Sequence, residues 1–163
     1  MLNQSFRHSQ RVLGSYSAAV TRLPCFLHCS EPANGAHQKR SISSIVRIGT
    51  EDPRMSKIVV HDGTVYISGQ TDATAEHIEG QTRNVLSKVD SLLQRAGTSK
   101  SNLITANIWL KNISRDFGAM NAVWNGWVDP DNKPVRATVE AAMARRQLLI
   151  EVQVTATTGQ MPE

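Results

Sequence analysis

The sequence predicts an α+β fold for residues 45–163, in which two helices pack on one face of a mixed β-sheet. Two observations predict this class. Short runs rich in β-branched residues surround two longer stretches where apolar residues recur at helical spacing. The order along the chain is strand, hairpin, helix, strand, helix and two strands, which is typical of helices laid on one side of a sheet. A chain of 163 residues can build one such domain with a core but is short for two.

Three β-branched runs open the domain, and we predict strands at residues 45–48, 57–60 and 64–68. An Asp-Gly pair at 62–63 lies between the last two runs. It favours a tight hairpin, because glycine adopts positive φ without steric cost. A helix is expected next, since apolar residues recur at helical spacing from Ile78 to Ala96, and Gly97 is suited to end it.

The second half of the domain repeats this alternation of strand and helix. A predicted strand at 103–110 would turn four apolar residues towards the helices: Ile104, Ala106, Ile108 and Leu110. A second helix is expected to begin near Ser114, a good N-cap. Its apolar stripe would comprise Phe117, Met120, Trp124 and Trp127 or Val128. A turn at 130–134 then leads into two alternating strands, at 136–141 and 148–155.

The face of the sheet turned away from the helices is predicted to be mostly polar. We expect it to carry Leu103, Thr105, Asn107 and Trp109, then Arg136, Thr138 and Glu140, then Glu151, Gln153 and Thr155. Polar residues at every second position are typical of a solvated sheet surface. Leaving Trp109 and Leu103 in water is costly, however, so coverage by further copies of the chain in a ring-like oligomer is the alternative.

All of the net positive charge lies in the first 44 residues, which hold five basic residues and one acid, Glu31. This stretch is also rich in serine, and Ser and Arg interrupt every apolar run. Such a pattern is typical of a transit peptide. We therefore predict that residues 1–44 direct the protein to mitochondria, with cleavage between Arg40 and Val46. The alternative is a disordered extension without function, which would leave the protein in the cytoplasm.

Composition also bears on several classes of function. No run of about 18 apolar residues is present, so no membrane-spanning helix is predicted. Residues 45–163 hold thirteen basic and thirteen acidic residues, which argues against a nucleic-acid binder. Cys25, His28 and Cys29 superficially resemble a metal clip, but zinc sites usually need four ligands and no second pair follows. We predict no metal site.

Three segments resemble the Rid family, also called the YjgF or L-PSP endoribonuclease family. They are Ser68-Gly69-Gln70 after the hairpin, DFGAMN at 116–121 and PVRATVE at 134–140. Supporting fragments are Gln81-Thr82, Ala96-Gly97 and Ile150-Glu151-Val152. Each fragment is weak alone, whereas their order and spacing over residues 46–157 are specific. The stretch MNAVW at 120–124 resembles the short bacterial YoaB-like branch of the family.

The resemblance implies a chorismate-mutase-like trimer with active sites between subunits. The implied reaction is hydrolytic deamination of 2-imino or 2-enamino acids to 2-keto acids and ammonia, without a metal or organic cofactor. By the same resemblance Arg136 binds the substrate carboxylate and Glu151 helps to position the attacking water. Four further positions are implied to bind substrate: Ser68, Asn121, Thr138 and Met55. Thr138 departs from the family pattern, which has cysteine there, and Met55, or Ser56 if the alignment shifts by one residue, stands where that pattern has tyrosine.

These residue types suit that chemistry. A guanidinium binds a carboxylate through two parallel hydrogen bonds and stays charged at any working pH. Fixing the carboxylate also fixes the neighbouring C=N carbon, so that water attacks from a defined direction. Glu151 could orient that water or accept its proton. A purely structural alternative is that Arg136 pairs with Glu140 or Glu151 on the sheet surface.

Two other functions remain open on the sequence. A non-catalytic trimer could bind small carboxylates or partner proteins in the same clefts, and Met55 and Thr138 favour it. A ribonuclease or translation inhibitor ranks lower. Metal-free RNA cleavage generally needs acid–base groups such as histidine and a basic surface. After residue 44 the only histidines are His61 in a turn and His77 near a helix start.

Overall fold

The computed structural model describes residues 44–159. All of the predicted targeting segment except its last residue lies outside this range, as do both cysteines. Within the described residues the chain forms two helices, α1 (Ile78–Arg95) and α2 (Ile113–Trp127). The strands are β1 (Val46–Ile48), β2 (Ile58–His61), β3 (Thr64–Thr71), β4 (Leu103–Leu110), β5 (Val135–Glu140) and β6 (Ile150–Thr157). The predicted order of elements is confirmed.

The strands form one mixed sheet in the order β1-β2-β3-β6-β4-β5. Neighbouring strands are antiparallel except β4 and β5, which are parallel and joined by α2. A parallel neighbour requires such a crossover, because a tight turn can only reverse the chain. The β2–β3 hairpin has the predicted Asp-Gly turn, with φ of 47° at Asp62 and 70° at Gly63. Two positive φ values in a two-residue turn match the twist of the strands.

The core lies between the helices and one face of the sheet. The helices contribute aliphatic residues and an aromatic ring at helical spacing, and the sheet contributes alternate residues of its inner strands. Fully buried members of the core include Ile58, Ile67, Val85, Leu86, Val89, Ile108, Met120, Ile150 and Val152. The predicted α+β class is confirmed. None of the helices in residues 44–159 is long and apolar enough to span a lipid bilayer.

The start of β4 differs from the prediction. Leu103 is 8% exposed, whereas Ile104, which was expected to face the core, is 41% exposed. The pairing of β4 with β6 shifts register between Leu103 and Thr105. An irregularity of this kind breaks the strict alternation, and it reverses the two faces at this end of the strand. The rest of the predicted core face is buried: Ala106, Ile108 and Leu110.

The face assigned to β5 is also corrected. Arg136 pairs with Ala106 of β4, and Thr138 pairs with Ile108. Paired residues of neighbouring strands point to the same side, and Ala106 and Ile108 are buried under the helices. Arg136, Thr138 and Glu140 therefore lie on the helix side of the sheet, and the prediction that they share the open face with Glu151 is wrong. β5 is the edge strand, so its residues remain largely exposed on both faces.

α2 begins earlier than predicted. Its N-cap is Asn112, whose side chain accepts a hydrogen bond from the backbone N–H of Arg115 at 2.9 Å, so Ser114 is not the cap. The apolar stripe is confirmed at Met120, Trp124 and Val128, which are buried. Phe117, which was expected in the same stripe, is exposed.

A buried glutamine fixes the loop that leads into β6. The side-chain amide of Gln81 in α1 donates to the carbonyl oxygens of Ala75 at 2.9 Å and Gln147 at 2.7 Å. Its own oxygen accepts from the backbone N–H of Leu149 at 2.9 Å. Both N–H groups of the Gln81 amide and one of the two lone pairs of its oxygen thus join α1 to this loop. The contact sets the start of β6, where Glu151 lies.

Candidate active site

Arg136 lies on the edge strand β5 and carries a positively charged guanidinium. Within residues 44–159 it forms no ion pair or side-chain hydrogen bond, so neither Glu140 nor Glu151 neutralises it. Partial burial lowers the pKa of Arg136, because desolvation disfavours the charged form. An arginine still remains charged at any working pH. The in-plane N–H groups are therefore available to an external anion.

The contact that the guanidinium does make is with an aromatic ring. The Cζ atom of Arg136 lies 5.2 Å from the centre of the Trp124 ring of α2. That distance is within the range of a cation–π interaction. Trp124 is 5% exposed and packs against Trp127 with ring centres 5.2 Å apart. The helical pattern of α2 predicted only a core position for Trp124, and the period-2 pattern of β5 gave no sign of this contact.

Two buried side-chain oxygens lie on the same two elements, α2 and β5. Within the described part of the chain, Oδ1 of Asn121 and Oγ1 of Thr138 have no hydrogen-bond partner. Asn121 is one helical turn before Trp124, and Thr138 is two residues after Arg136 on the same face of β5. Glu140 at the other end of β5 accepts from the N–H of Ile113 at 2.9 Å, so α2 lies along the whole strand. Buried polar atoms normally find partners, so each of these oxygens suits a donor from a ligand.

Glu151 belongs to a second group of residues on the opposite face of the sheet. It pairs with Trp109 of β4 and with Thr71 of β3. Its carboxylate lies directly against Gly69, where the methyl group of an alanine would come within 1.9 Å of Oε1. Only glycine leaves room for this carboxylate without displacing it. A recess of about 250 Å³ adjoins Glu151 and Trp109 and is also lined by Ala141, Ala142 and Met143.

Ser68 directly precedes Gly69, in an irregular part of β3. The pairing of β3 with β6 shifts register between Ile67 and Gln70, which places Ser68 and Gly69 in a bulge. The side-chain amide of Gln70 donates to the Ser68 hydroxyl at 3.1 Å and to the Ser68 carbonyl at 2.9 Å. The bulge brings the Ser68-Gly69 backbone towards the start of β6. Gly69 thus lies against Glu151, and Ser68 is next to Gly69 in the chain.

The two groups are separate within one chain. Arg136 is level with Ala106 of β4 and Val154 of β6, whereas Glu151 is three residues away along β6. With β4 between the two strands, strand spacings place the two Cα atoms about 14 Å apart. Their side chains also point to opposite faces of the sheet. Arg136, Thr138 and Asn121 thus form one half-site, and Ser68, Gly69 and Glu151 form another.

The remaining predicted residues lie elsewhere. Met55 is in the loop between β1 and β2 and is about half exposed. His61 ends β2 and His77 is the N-cap of α1, so the two histidines belong to different parts of the fold. Among residues 44–159 no group of three or more His, Cys, Asp or Glu side chains could hold a metal ion. A larger recess of about 550 Å³ lies between the outer sides of α1 and α2, away from both half-sites.

Fold and site together define a class: a small α+β domain with two helices on one face of a mixed sheet and, at the sheet edge, an arginine without an ion-pair partner among the residues that the structure describes. The Endoribonuclease L-PSP family matches residues 49–158, and the chain belongs to that family. A YjgF-family protein of Neisseria meningitidis has the same fold, with a TM-score of 0.70 and 34% identity over 72% of this chain and 98% of its own.

Two curated relatives are informative. The RutC family protein YoaB of Escherichia coli is 35% identical over 113 residues, which cover 69% of this chain and 97% of that protein. The 2-iminobutanoate/2-iminopropanoate deaminase of Salmonella typhimurium is 25% identical over 104 residues, which cover 63% of this chain and 80% of that protein. The family predicted from the sequence motifs is thereby confirmed, including relatives of the YoaB type.

Proposed function

We propose that the protein hydrolyses 2-imino and 2-enamino acids to 2-keto acids and ammonia. The observation that carries this proposal is the guanidinium of Arg136, which is charged, has no acidic partner among residues 44–159 and is supported on the Trp124 ring. Such a group suits the carboxylate of a small substrate because it can donate two parallel hydrogen bonds. The named activity of the Salmonella relative supports the same substrate class.

The reaction needs water to add to a C=N carbon and nitrogen to leave. The water oxygen bonds to the imine carbon, while one water proton passes through Glu151 or solvent to the nitrogen. The resulting carbon bears OH and NH2. The hydroxyl proton then passes to the NH2 nitrogen by the same route, the C–N bond breaks as the C=O bond forms, and ammonia leaves, so that imine and water give keto acid and ammonia. An enamine enters the same route after protonation at carbon.

The unpartnered oxygens suit the nitrogen end of such a substrate. An imine or iminium carries N–H donors. Among the described residues, no donor forms a hydrogen bond with Asn121 Oδ1 or Thr138 Oγ1. A 2-imino acid would present its carboxylate to Arg136 and its N–H to these oxygens. Binding both ends fixes the electrophilic carbon between them, which lowers the entropic part of the barrier.

A complete site requires two copies of the chain. Arg136 and Glu151 are on opposite faces of one sheet and about 14 Å apart by strand spacing, so they cannot hold one small substrate within a chain. We propose that the open face of one copy supplies Glu151 to the edge strand of the next. Exposed apolar side chains on this face and edge support burial between copies: Tyr66, Val135 and Val139. The number three comes from the family resemblance.

The direct test compares turnover of wild type and Arg136→Ala on residues 45–163, with imino acids generated in situ by an amino-acid oxidase. Arg83→Ala, which removes an exposed arginine from α1, is the matched control. We expect wild type and Arg83→Ala to accelerate imine loss and Arg136→Ala to reduce kcat/KM by about 10²-fold or more. Wild type no faster than buffer on every imine would contradict the proposal.

The second candidate is a non-catalytic carboxylate-binding oligomer. Thr138 and the exposed Met55 favour it, because they stand where the family pattern has cysteine and tyrosine. Carboxylate binding that Arg136→Ala abolishes, without turnover by wild type, would select this alternative. Ribonuclease activity, which the family's name suggests, ranks below both. The balanced charge of residues 45–163 gives little attraction for phosphates, and His61 and His77 are not grouped.

A further inference from the structure

We infer that Trp124 is a positioning residue that orients Arg136 for carboxylate binding. The inference rests on the proposed carboxylate site and adds a residue that acts through Arg136. The ring centre of Trp124 is 5.2 Å from the Arg136 Cζ atom. No residue in 44–159 forms an ion pair or a side-chain hydrogen bond with the guanidinium. Trp124 is therefore what holds the cation in place when no ligand is bound.

An aromatic partner has a different consequence from an acidic one. A carboxylate partner would accept the in-plane N–H bonds of the guanidinium and compete with a substrate for them. A ring attracts the cation through the face of its π system and takes none of those donors. Trp124 can thus restrain Arg136 while all five N–H groups stay available.

The ring is itself held in place, which a positioning role requires. Trp124 is 5% exposed and packs against Trp127 at an interplanar angle of 57°. The indole N–H of Trp127 donates to Asp90 of α1 at 2.8 Å. Both helices therefore support the aromatic pair beneath Arg136. On an exposed edge strand, where a long side chain would otherwise sample many rotamers, such support reduces the entropy lost on binding.

The test measures binding of pyruvate, the smallest keto-acid product, against pyruvamide, which has no carboxylate. Wild type, Trp124→Phe, Trp124→Leu and Phe117→Leu are compared by titration calorimetry. We expect Trp124→Leu to weaken pyruvate binding about fivefold, because it removes the ring face that pre-orients the cation. Pyruvamide binding should not change, whereas a merely structural role would lower both. Trp124→Phe retains a ring and should recover most of the affinity.

Phe117→Leu is the matched control, since it removes an exposed ring from the same helix and leaves Trp124 and its support under Arg136. Its pyruvate affinity should stay within about twofold of wild type. Should Trp124→Leu fail to fold, Trp124→Met replaces it, because an unbranched side chain fills an irregular space more readily. Pyruvate affinity equal to wild type in the folded ringless variant would overturn the inference.

The outcomes separate this inference from the proposed reaction. If wild type prefers pyruvate and Trp124→Leu loses that preference, the positioning role stands even when no imine is turned over. If wild type hydrolyses imines and Trp124→Leu binds pyruvate as tightly, the reaction stands and the positioning role fails. If wild type binds pyruvate no better than pyruvamide, there is no carboxylate preference for Trp124 to support, and the inference is overturned.

Discussion

The contact between Gly69 and Glu151 gives a single residue a clear steric role. The Glu151 carboxylate occupies the space that a side chain at position 69 would need. The backbone of Gly69 is not in the left-handed region, so the requirement is for space and not for a special φ. At the residue scale, the half-site on the open face therefore depends on the absence of a side chain at Gly69 as well as on the Glu151 carboxylate.

Gly69→Ala is expected to displace the Glu151 carboxylate without unfolding the protein. The new methyl group would lie 1.9 Å from Oε1, and the end of a flexible side chain can move away. We expect kcat for imine hydrolysis to fall by about 10²-fold, as for loss of a positioned acid–base group. Steady-state kinetics and urea unfolding measure the two effects.

Gly126→Ala in α2 is the matched control, because its new methyl group would have no neighbour within 4 Å. It should leave kcat unchanged. Full activity of Gly69→Ala would argue that the exact place of Glu151 is immaterial to the reaction.

At the scale of elements, the sequence patterns predicted which segments form helices and strands but not which face of β5 meets the helices. Alternation has a period of two, so an edge strand with exposed residues on both faces fits either orientation equally well. Only the register with β4, in which Arg136 pairs with Ala106, decides that Arg136 lies on the helix side. Buried strands such as β6 carry strong apolar alternation, and their faces were predicted correctly.

For the candidate site too, the sequence predicted which residues take part but not how the fold places them. Family motifs identified Arg136 and Glu151 because residue identity at a motif position can be read directly. Their separation onto two faces depends on strand register, and the ring under Arg136 depends on the packing of α2, neither of which a local pattern contains. The reversal of Leu103 and Ile104 has the same origin, since one irregularity in pairing changes the alternation.

The end of β3 is joined to α1 by a charged network around Asp72. The carboxylate of Asp72 is 2.6 Å from the Lys88 ammonium and accepts from Thr74 and Asn84. The Lys88 ammonium, followed by the Thr74 hydrogen bonds, holds the pKa of Asp72 well below its ordinary value of 3.8. A lowered folded-state pKa means that the network stabilises the fold above about pH 4 and that this stability is lost as pH falls further.

We predict that Asp72→Asn lowers the free energy of unfolding at pH 7 by about 2 kcal/mol and flattens its decline below pH 4. Urea unfolding between pH 3 and pH 7 measures both effects. Asp131→Asn, in an exposed loop, should change stability by less than about 0.5 kcal/mol. An acid decline as steep in Asp72→Asn as in wild type would exclude this carboxylate as its source.

At the scale of the whole molecule, the first 44 residues and the domain differ in net charge. The net positive charge lies in the first segment, while residues 45–163 are balanced. We predict that residues 1–44 fused to a fluorescent protein direct it to mitochondria, because basic, acid-poor and serine-rich segments suit that import. Changing Arg7, Arg11 and Arg22 to Gln should leave the fusion in the cytoplasm. Cytoplasmic fluorescence of the unchanged fusion would show that the segment is not a transit peptide.

The proposed active site takes Arg136 from one copy of the chain and Glu151 from another, and complementation between variants tests this arrangement. Two variants, Arg136→Ala and Glu151→Gln, each remove one half-site and should be inactive alone. Refolded together in equal amounts, they should recover about a quarter of wild-type activity, since random assembly joins an intact Arg136 with an intact Glu151 at that fraction of interfaces. Activity of the mixture no higher than that of the separate variants would mean that no such shared site exists.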